Sequence, residues 1–461
     1  MTIRQVSKLT GRRNAAAIAA ASGRRQLDQK CRIHPSCQIC QYLRSALTSS
    51  LVTAHPNPSR KIWQILETIL TSKPPDFSLV LGGPLFQIFR RAHLAGEGLE
   101  LLHRRLLIIP LVTWLPLMFL SVLDHQALAR SCKIPFLYDV ETYVRFLVAL
   151  PILIAAELVV HRRISPLVRR FVERGIVRSQ DLPPFGAAVN SALRVRDSTA
   201  LELTLLVLVY TLGLWIWSRE VALGEPTWYA MPDGKHLNLT LAGYWYALVS
   251  IPIFQFILLR WYMRLVIWFR LLWQISRLSL RLSPAHPDRS GGIGFLGRSS
   301  YAFGPVLFAQ GALMSGLIAS RVLYEGRPLL SFKAEAAGFV GFFVLIILGP
   351  LLMFTPLLER TRTNGFAEYG LLANRYAFGF EDEWLPSRGG DTIALPATAD
   401  ISPVYALDNL YSNVSKMRLV PFGSRDITLL AATTAAPLVP LTLTIFSVPD
   451  LAKFLIKILF H

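Results

Sequence analysis

Long apolar runs alternate with short polar segments over most of the chain. Seven runs, at about 106–122, 144–160, 200–217, 242–259, 303–320, 337–357 and 428–447, are long enough to cross a hydrocarbon core of roughly 30 Å. None shows the strict alternation of a barrel strand. Each is predicted to be helical, because a segment in lipid has to satisfy its own backbone N–H and C=O groups. The implied fold class is all-α, a polytopic transmembrane helix bundle of about seven spans. The last run, "ITLLAATTAAPLVPLTLTIFSVP", is uncharged but rich in Thr and Pro. After it, "DLAKFLIKILFH" carries Lys453 and Lys457 on a mostly apolar stretch and reads as an interfacial helix.

Composition supports the membrane reading. The chain is 52% hydrophobic and 17% charged, against roughly 25% charged for soluble domains. A net charge of +19 would suit nucleic acid, but its distribution does not. Lys and Arg number 16 before the first span, then 8, 7 and 7 in segments 161–199, 260–302 and 358–427. Segments on the opposite side hold 2, 2, 3 and 2. This asymmetry predicts a cytoplasmic N-terminus. The expected partners are the bilayer and its anionic headgroups, with a protein partner possible at the cytoplasmic loops and no nucleic acid. Trp215, Trp217, Tyr244, Trp245 and Tyr246 are expected at the interfaces.

Residues 1–61 hold eleven Lys or Arg and one acid, Asp28. They read as a disordered basic tail near anionic lipid. Ala, Ser and Arg without acids also resemble an organellar transit peptide. Cys31, His34, Cys37 and Cys40 are zinc-ligand types, but on a helix steps of three drift by about 60° each, so the four would not converge. No metal and no cofactor is expected. Residues 62–105 read as an amphipathic interfacial segment with Arg90 and Arg91 at the headgroups, the alternative being a re-entrant loop at Gly82-Gly83-Pro84.

Two acids sit inside spans: Glu157 in the second and Glu202 in the third. A charge at mid-bilayer costs about 2.5–3.5 kcal/mol on insertion scales, so both should face the bundle or a wet cavity. Pairing with Arg162 or Arg196 is the structural alternative. The span directions bring both acids near the cytoplasmic end. The fourth span continues as "RWYMRLVIWFRLLWQISRLSLRL", with Arg260 and Arg264 one turn apart at that same end. Gln255 and Gln310 are the main uncharged polar groups inside spans, too few for a proton wire.

Between spans four and five lies "LSPAHPDRSGGIGFLGRSS". Pro284 and Pro287 stop helix continuation. Gly291, Gly292 and Gly294 permit positive φ. Besides a catalytic role, two readings are open. In one, backbone N–H groups form an anion-binding nest, with Arg289 and Arg298 adding charge-assisted bonds. In the other, the turn is a tight connector in which His286 and Asp288 satisfy backbone groups. Neither Walker nor dinucleotide spacing is present. The candidate ligand-binding residues are therefore Glu157, Glu202, Arg260, Arg264, His286, Asp288, Arg289, Gly291 and Gly292, with no catalytic residue. Segment 358–427 reads as a helix, a Pro- and Gly-rich loop and a short helix ending near Pro421. It is expected either to dock on the turn, its acids meeting the arginines of 260–281, or to be a solvated connector.

"RLSLRLSPAHPDR" resembles the basic helix and His-Pro-Asp turn of J-domain co-chaperones. That family needs a soluble helical hairpin, whereas both flanks here are membrane helices, so the likeness is set aside. From roughly Phe77 onward, "FSLVLGGPLFQIFRRAH", "HPDRSGGIGFL" and "ADISPVYALDNLYSNVSKMRLVPF" resemble an uncharacterised family of bacterial polytopic membrane proteins. The resemblance implies a bacterial inner-membrane location, makes the first 76 residues an appendage and carries over no catalytic residue. The expected function is binding of an anionic ligand or lipid headgroup at the cytoplasmic face, of transporter or sensor type. A non-catalytic scaffold and an enzyme acting on a lipid-linked phosphate are the alternatives.

Overall fold

The structure, a computed structural model, describes residues 77–92, 101–128, 134–216, 227–233, 236–384 and 402–444. All of them belong to the unit Pro74–His461. The basic tail, the Cys31–Cys40 cluster, the 385–401 loop, Trp217 and the tail with Lys453 and Lys457 lie outside the described residues.

The chain is helical and carries, among the described residues, six helices long and apolar enough to cross a membrane. A short helix α1 (Pro84–Arg91) precedes α2 (Leu102–Leu123) and α3 (Val140–Glu173). Then come α4 (Leu182–Arg196), α5 (Thr199–Ile216), α6 (Leu241–Ser276) and α7 (Phe295–Glu325). Helix α8 (Lys333–Leu348) runs through a 3-10 stretch at Gly349–Phe354 into α9 (Thr355–Trp384). Two shorter helices, α10 (Ser402–Ser415) and α11 (Ser424–Ala435), complete the described part.

The packing is that of a protein whose solvent is lipid. On α2, Leu107, Leu111, Leu115, Phe119 and Val122 are exposed, while Arg105, Thr113 and Ser121 are buried. The apolar side chains thus face outward and the polar ones inward, the reverse of a helix in water. Thr113 and Ser250 answer this inside placement with hydrogen bonds to carbonyls, Ser250 Oγ donating to Thr113 O at 2.7 Å.

Three membrane helices contain a π-turn: Val144–Ala149 in α3, Val209–Gly213 in α5 and Tyr246–Ser250 in α6. In α3 and α6 a proline follows at once, Pro151 and Pro252. Proline has no N–H to return to the preceding turn, so the hydrogen-bond ladder is interrupted there and widens.

The architecture is the all-α bundle that the run pattern implies, with one small addition: Ala230–Asp233 pairs antiparallel with His236–Leu239 in the connection before α6. Tyr246, expected at an interface, does not face outward. It is buried against Trp228, which is itself fully buried between Phe136, Tyr229 and Tyr246 and donates from Nε1 to Asp139 Oδ2 at 2.9 Å. Trp215 and Tyr244 remain exposed as interface positions should. Of the seventh apolar run, 428–435 belong to α11 and 436–444 continue as a 3-10 stretch, Ala436–Thr444. Pro437 and Pro440 withhold two N–H donors there, and residues 445–447 lie outside the described part.

The described parts of segment 358–427 dock on the 282–294 turn. Gly365 lies against Pro284, Gly291 packs on Leu358 and Met417, and Arg418 N–H donates to Arg289 O at 2.7 Å. Among the described residues the docking uses close packing and backbone bonds, and Glu381 is exposed; the side chains of Asp382 and Glu383, expected to meet the arginines of 260–281, lie outside the described part.

Candidate functional site

Five ionisable residues from four helices meet at one end of the bundle: Arg105 on α2, Glu157 on α3, Glu202 on α5, and Arg260 and Arg264 on α6. All are nine-tenths buried or more, with exposures of 2%, 8%, 7%, 6% and 2%. Glu157 Oε2 accepts from Arg105 Nη1 at 2.6 Å, and its Oε1 accepts from Arg264 Nη2 at 2.8 Å. Glu202 Oε1 lies 3.3 Å from Arg260 Nη2, within ion-pair range but without a hydrogen bond. The Arg260–Glu202 pair is therefore the looser one. Three arginines against two glutamates leave one positive charge in excess among the described residues.

The segment before α1 threads into this cluster. Phe77, Leu79 and Val80 are buried, and Phe77 meets the Trp268 ring. Ser78 Oγ accepts from Val80 N and Leu81 N and lies 2.9 Å from His161 Nδ1, while Arg196 donates to Ser78 O. The chain then turns at Gly82 (φ 137°) and Gly83 (φ 88°), which favour glycine. A Cβ on Gly82 would fall onto the Arg196 and Asp197 side chains, and one on Gly83 would lie 2.9 Å from Glu202 Oε1. This close approach lets Leu85 N–H donate to Glu202 Oε2 at 2.7 Å, so the carboxylate sits at the N-terminus of α1.

A cleft opens beside the cluster, lined by Arg105, Glu157, Arg260 and Arg264 together with Leu85, Phe89, Ile109, Ile154 and Ile257. Its free space is about 310 Å³ with the open mouth counted, but the enclosed part is only of water size. Arg105 Nε and Nη2 and Arg260 Nε are buried and have no hydrogen-bond partner among the described residues. An unanswered buried guanidinium N–H is costly, and guanidinium forks suit oxyanions. Among the described residues the site therefore has spare donors and spare positive charge.

Of the residues singled out from sequence, Glu157, Glu202, Arg260 and Arg264 come together. Neither acid pairs with Arg162 or Arg196; Arg196 binds Asp197 and the Ser78 carbonyl. Arg105 was missed. It stands one residue before the expected start of the first span and reads as a flanking charge, yet the helix begins at Leu102 and carries it inward. Its position on the buried stripe with Pro110, Thr113, Leu117 and Ser121 is the signal that would have found it.

His286, Asp288, Arg289, Gly291 and Gly292 form a separate structure. None lines the cleft, and among the described residues no hydrogen bond or ion pair joins them to the cluster. The backbone N–H groups of the turn do converge, but on Asp288. Ser290 N and Gly292 N donate to its Oδ1 at 2.9 and 3.0 Å, and Gly294 N to its Oδ2 at 2.9 Å. The nest is filled by the chain's own carboxylate. Burial alone would push the Asp288 carboxyl up; the three N–H donors and nearby His286 outweigh it and hold it below its ordinary value. His286 Nδ1 lies 2.9 Å from Asp288 Oδ1 and 3.2 Å from Asp288 N. The ring donates to the carboxylate when Nδ1 carries a proton and accepts the backbone N–H when it does not. Arg289 takes a left-handed backbone (φ 54°) and its side chain is exposed.

Six apolar helices around an internal cluster of ion pairs define a helical multi-pass membrane protein. No family model matches the chain, and neither does any curated protein or solved structure compared with it. Among the described residues there is no group of three His, Cys, Asp or Glu placed to hold a metal ion.

Proposed function

We propose that this protein binds an oxyanion of phosphate type at the Arg105–Arg260–Arg264 cluster, as a membrane module of transporter or sensor type. The observation that carries the reading is the set of buried guanidinium nitrogens without partners beside a cleft. The excess of Lys and Arg on one side supports a cytoplasmic N-terminus, which puts the cluster toward the cytoplasmic leaflet, and the length and lack of charge of 428–447 support a seventh span there. The resemblance of the 77–461 part to bacterial polytopic proteins supports the bacterial inner membrane as its location.

The test is thermal unfolding of the full chain in detergent, with inorganic phosphate and with a short-chain soluble phosphodiester. A ligand of the folded state raises the melting temperature with concentration. The expected result is such a rise in the wild type and its loss in Arg105→Gln. No rise with either compound in the wild type overturns the reading.

A second reading, a non-catalytic scaffold, draws support from the cytoplasmic-side helices. Leu371, Tyr376 and Phe378 on α9 and Tyr405 on α10 are exposed apolar side chains outside the core. A scaffold would keep its partner in His286→Ala and Asp288→Ala and lose it when 358–427 is removed. An enzyme on a lipid-linked phosphate would need His286 and Asp288 within reach of the cleft, and they do not line it.

A further inference from the structure

The cleft is chemically two-sided. Its charged members are answered by five apolar ones, and two of these sit beside side chains on the outer surface. Phe89 follows Ile88, and Ile109 follows Ile108; both neighbours are exposed. Ile108 belongs to the outward face of α2, with Leu107 and Leu111. Two helices that line the cleft, α1 and α2, thus also carry exposed apolar side chains, and this apolar surround suits an amphiphile better than a free ion in water.

Charge narrows the choice further. The cluster's single excess positive charge matches a monoanion. A phosphomonoester carries about −1.5 to −2 at neutral pH and would leave negative charge unanswered in a buried place, at a desolvation cost. A phosphodiester carries one negative charge and presents two free oxygens, and a zwitterionic headgroup brings an ammonium toward three arginines. The enclosed space also admits an oxygen-sized group, not a whole headgroup.

Resting on the anion-binding reading, we infer that the ligand is the singly charged phosphodiester of an acidic membrane phospholipid, reaching the cluster past α1 and α2 from the lipid side. A phosphate oxygen meets Arg105 Nε and Nη2 and Arg260 Nε. Glu202 is the group it competes with. That carboxylate already holds Arg260 loosely, at 3.3 Å, and is anchored on the far side by Leu85 N–H. Glu202 also sets selectivity, since it lowers the excess charge from two to one.

The test is native mass spectrometry of the delipidated full chain titrated separately with phosphatidylglycerol, phosphatidylcholine and phosphatidic acid, with thermal unfolding in inorganic phosphate alongside. The wild type should retain phosphatidylglycerol about tenfold more tightly than phosphatidylcholine. Arg260→Gln should remove that preference, and Arg289→Gln, in the separate turn, should leave it intact. Glu202→Gln should shift the preference toward phosphatidic acid. Equal retention of the glycerol and choline lipids overturns the inference, and so does phosphatidic acid winning in the wild type. Stabilisation by inorganic phosphate without lipid preference overturns it while leaving the anion-binding reading standing; no binding of any anion overturns both. If Arg260→Gln does not fold, Glu202→Gln decides, and an unshifted preference there counts against the charge argument.

Discussion

Glu157 is clasped by two arginines from two other helices, Arg105 at 2.6 Å and Arg264 at 2.8 Å. One carboxylate therefore ties α2, α3 and α6 together inside the bundle. Glu157→Gln leaves three buried guanidinium groups facing one another, and breaking a buried pair costs about 3–5 kcal/mol. The variant should melt earlier in detergent than the wild type. Added sulfate should recover part of the loss, and by more than it stabilises the wild type. Unfolding curves with and without the salt check both statements.

Gly82→Ala and Gly83→Ala should loosen α1 without unfolding the bundle. Both positions have positive φ, and a Cβ at either meets the Arg196–Asp197 pair or Glu202. Such backbone strain costs of order 1–3 kcal/mol per residue. Limited proteolysis should cut faster within 77–92, while the main unfolding transition stays near its wild-type temperature. Cleavage at the wild-type rate would show that the segment tolerates a side chain there.

The turn at 286–294 should be sensitive to acid. Asp288 titrates below its ordinary value of about 3.9 because three backbone N–H groups point at the charged form. A carboxyl depressed on folding contributes stability that is full above its unfolded value and lost as pH falls through its folded one. Protection of the Ser290, Gly292 and Gly294 amides, taken against their intrinsic exchange rates at each pH, should be high at neutral pH and fall once pH drops through that lower value. Asp288→Ala, which leaves these donors unanswered, should speed exchange at every pH at a cost of about 1–3 kcal/mol for the buried groups.

Orientation can be checked by single cysteines in a background lacking Cys31, Cys37, Cys40 and Cys132. Pro287→Cys and Leu128→Cys both lie at exposed positions, on connections expected on opposite sides. A membrane-impermeant thiol reagent applied from outside should label the second and not the first. The reverse pattern would invert the topology and move the arginine cluster to the outer leaflet.

The depth shared by Glu157, Glu202, Arg260 and Arg264 was legible in the sequence. Span length, direction and residue position are enough to compute it, since each residue advances a helix by about 1.5 Å. Arg105 was not, because a hydropathy boundary excludes a charge that the helix itself includes. The turn shows a different limit. Gly291 and Gly292 do take positive φ, as their identity suggested. Whether the N–H groups point outward to a ligand or inward to Asp288 depends on side-chain placement, which spacing does not encode. Tyr246 was misplaced for a related reason: Trp228, distant in sequence, covers it.

The π-turns bear on the arginine cluster without touching it. A π-turn absorbs one surplus residue, and each residue turns a helix by roughly 100°. Deleting one residue from Val144–Ala149 would remove that surplus and let α3 wind regularly with Glu157 still facing its clasp, whereas deleting one from the regular helix between Leu150 and Glu157 would swing Glu157 away by roughly 100°. Arg260 and Arg264 stand in the same relation to Tyr246–Ser250. Each π-turn thus confines a change of length to the opposite half of its helix, while a one-residue deletion in the regular turns between it and the charges would dismantle the electrostatic centre and leave every charged residue in the chain.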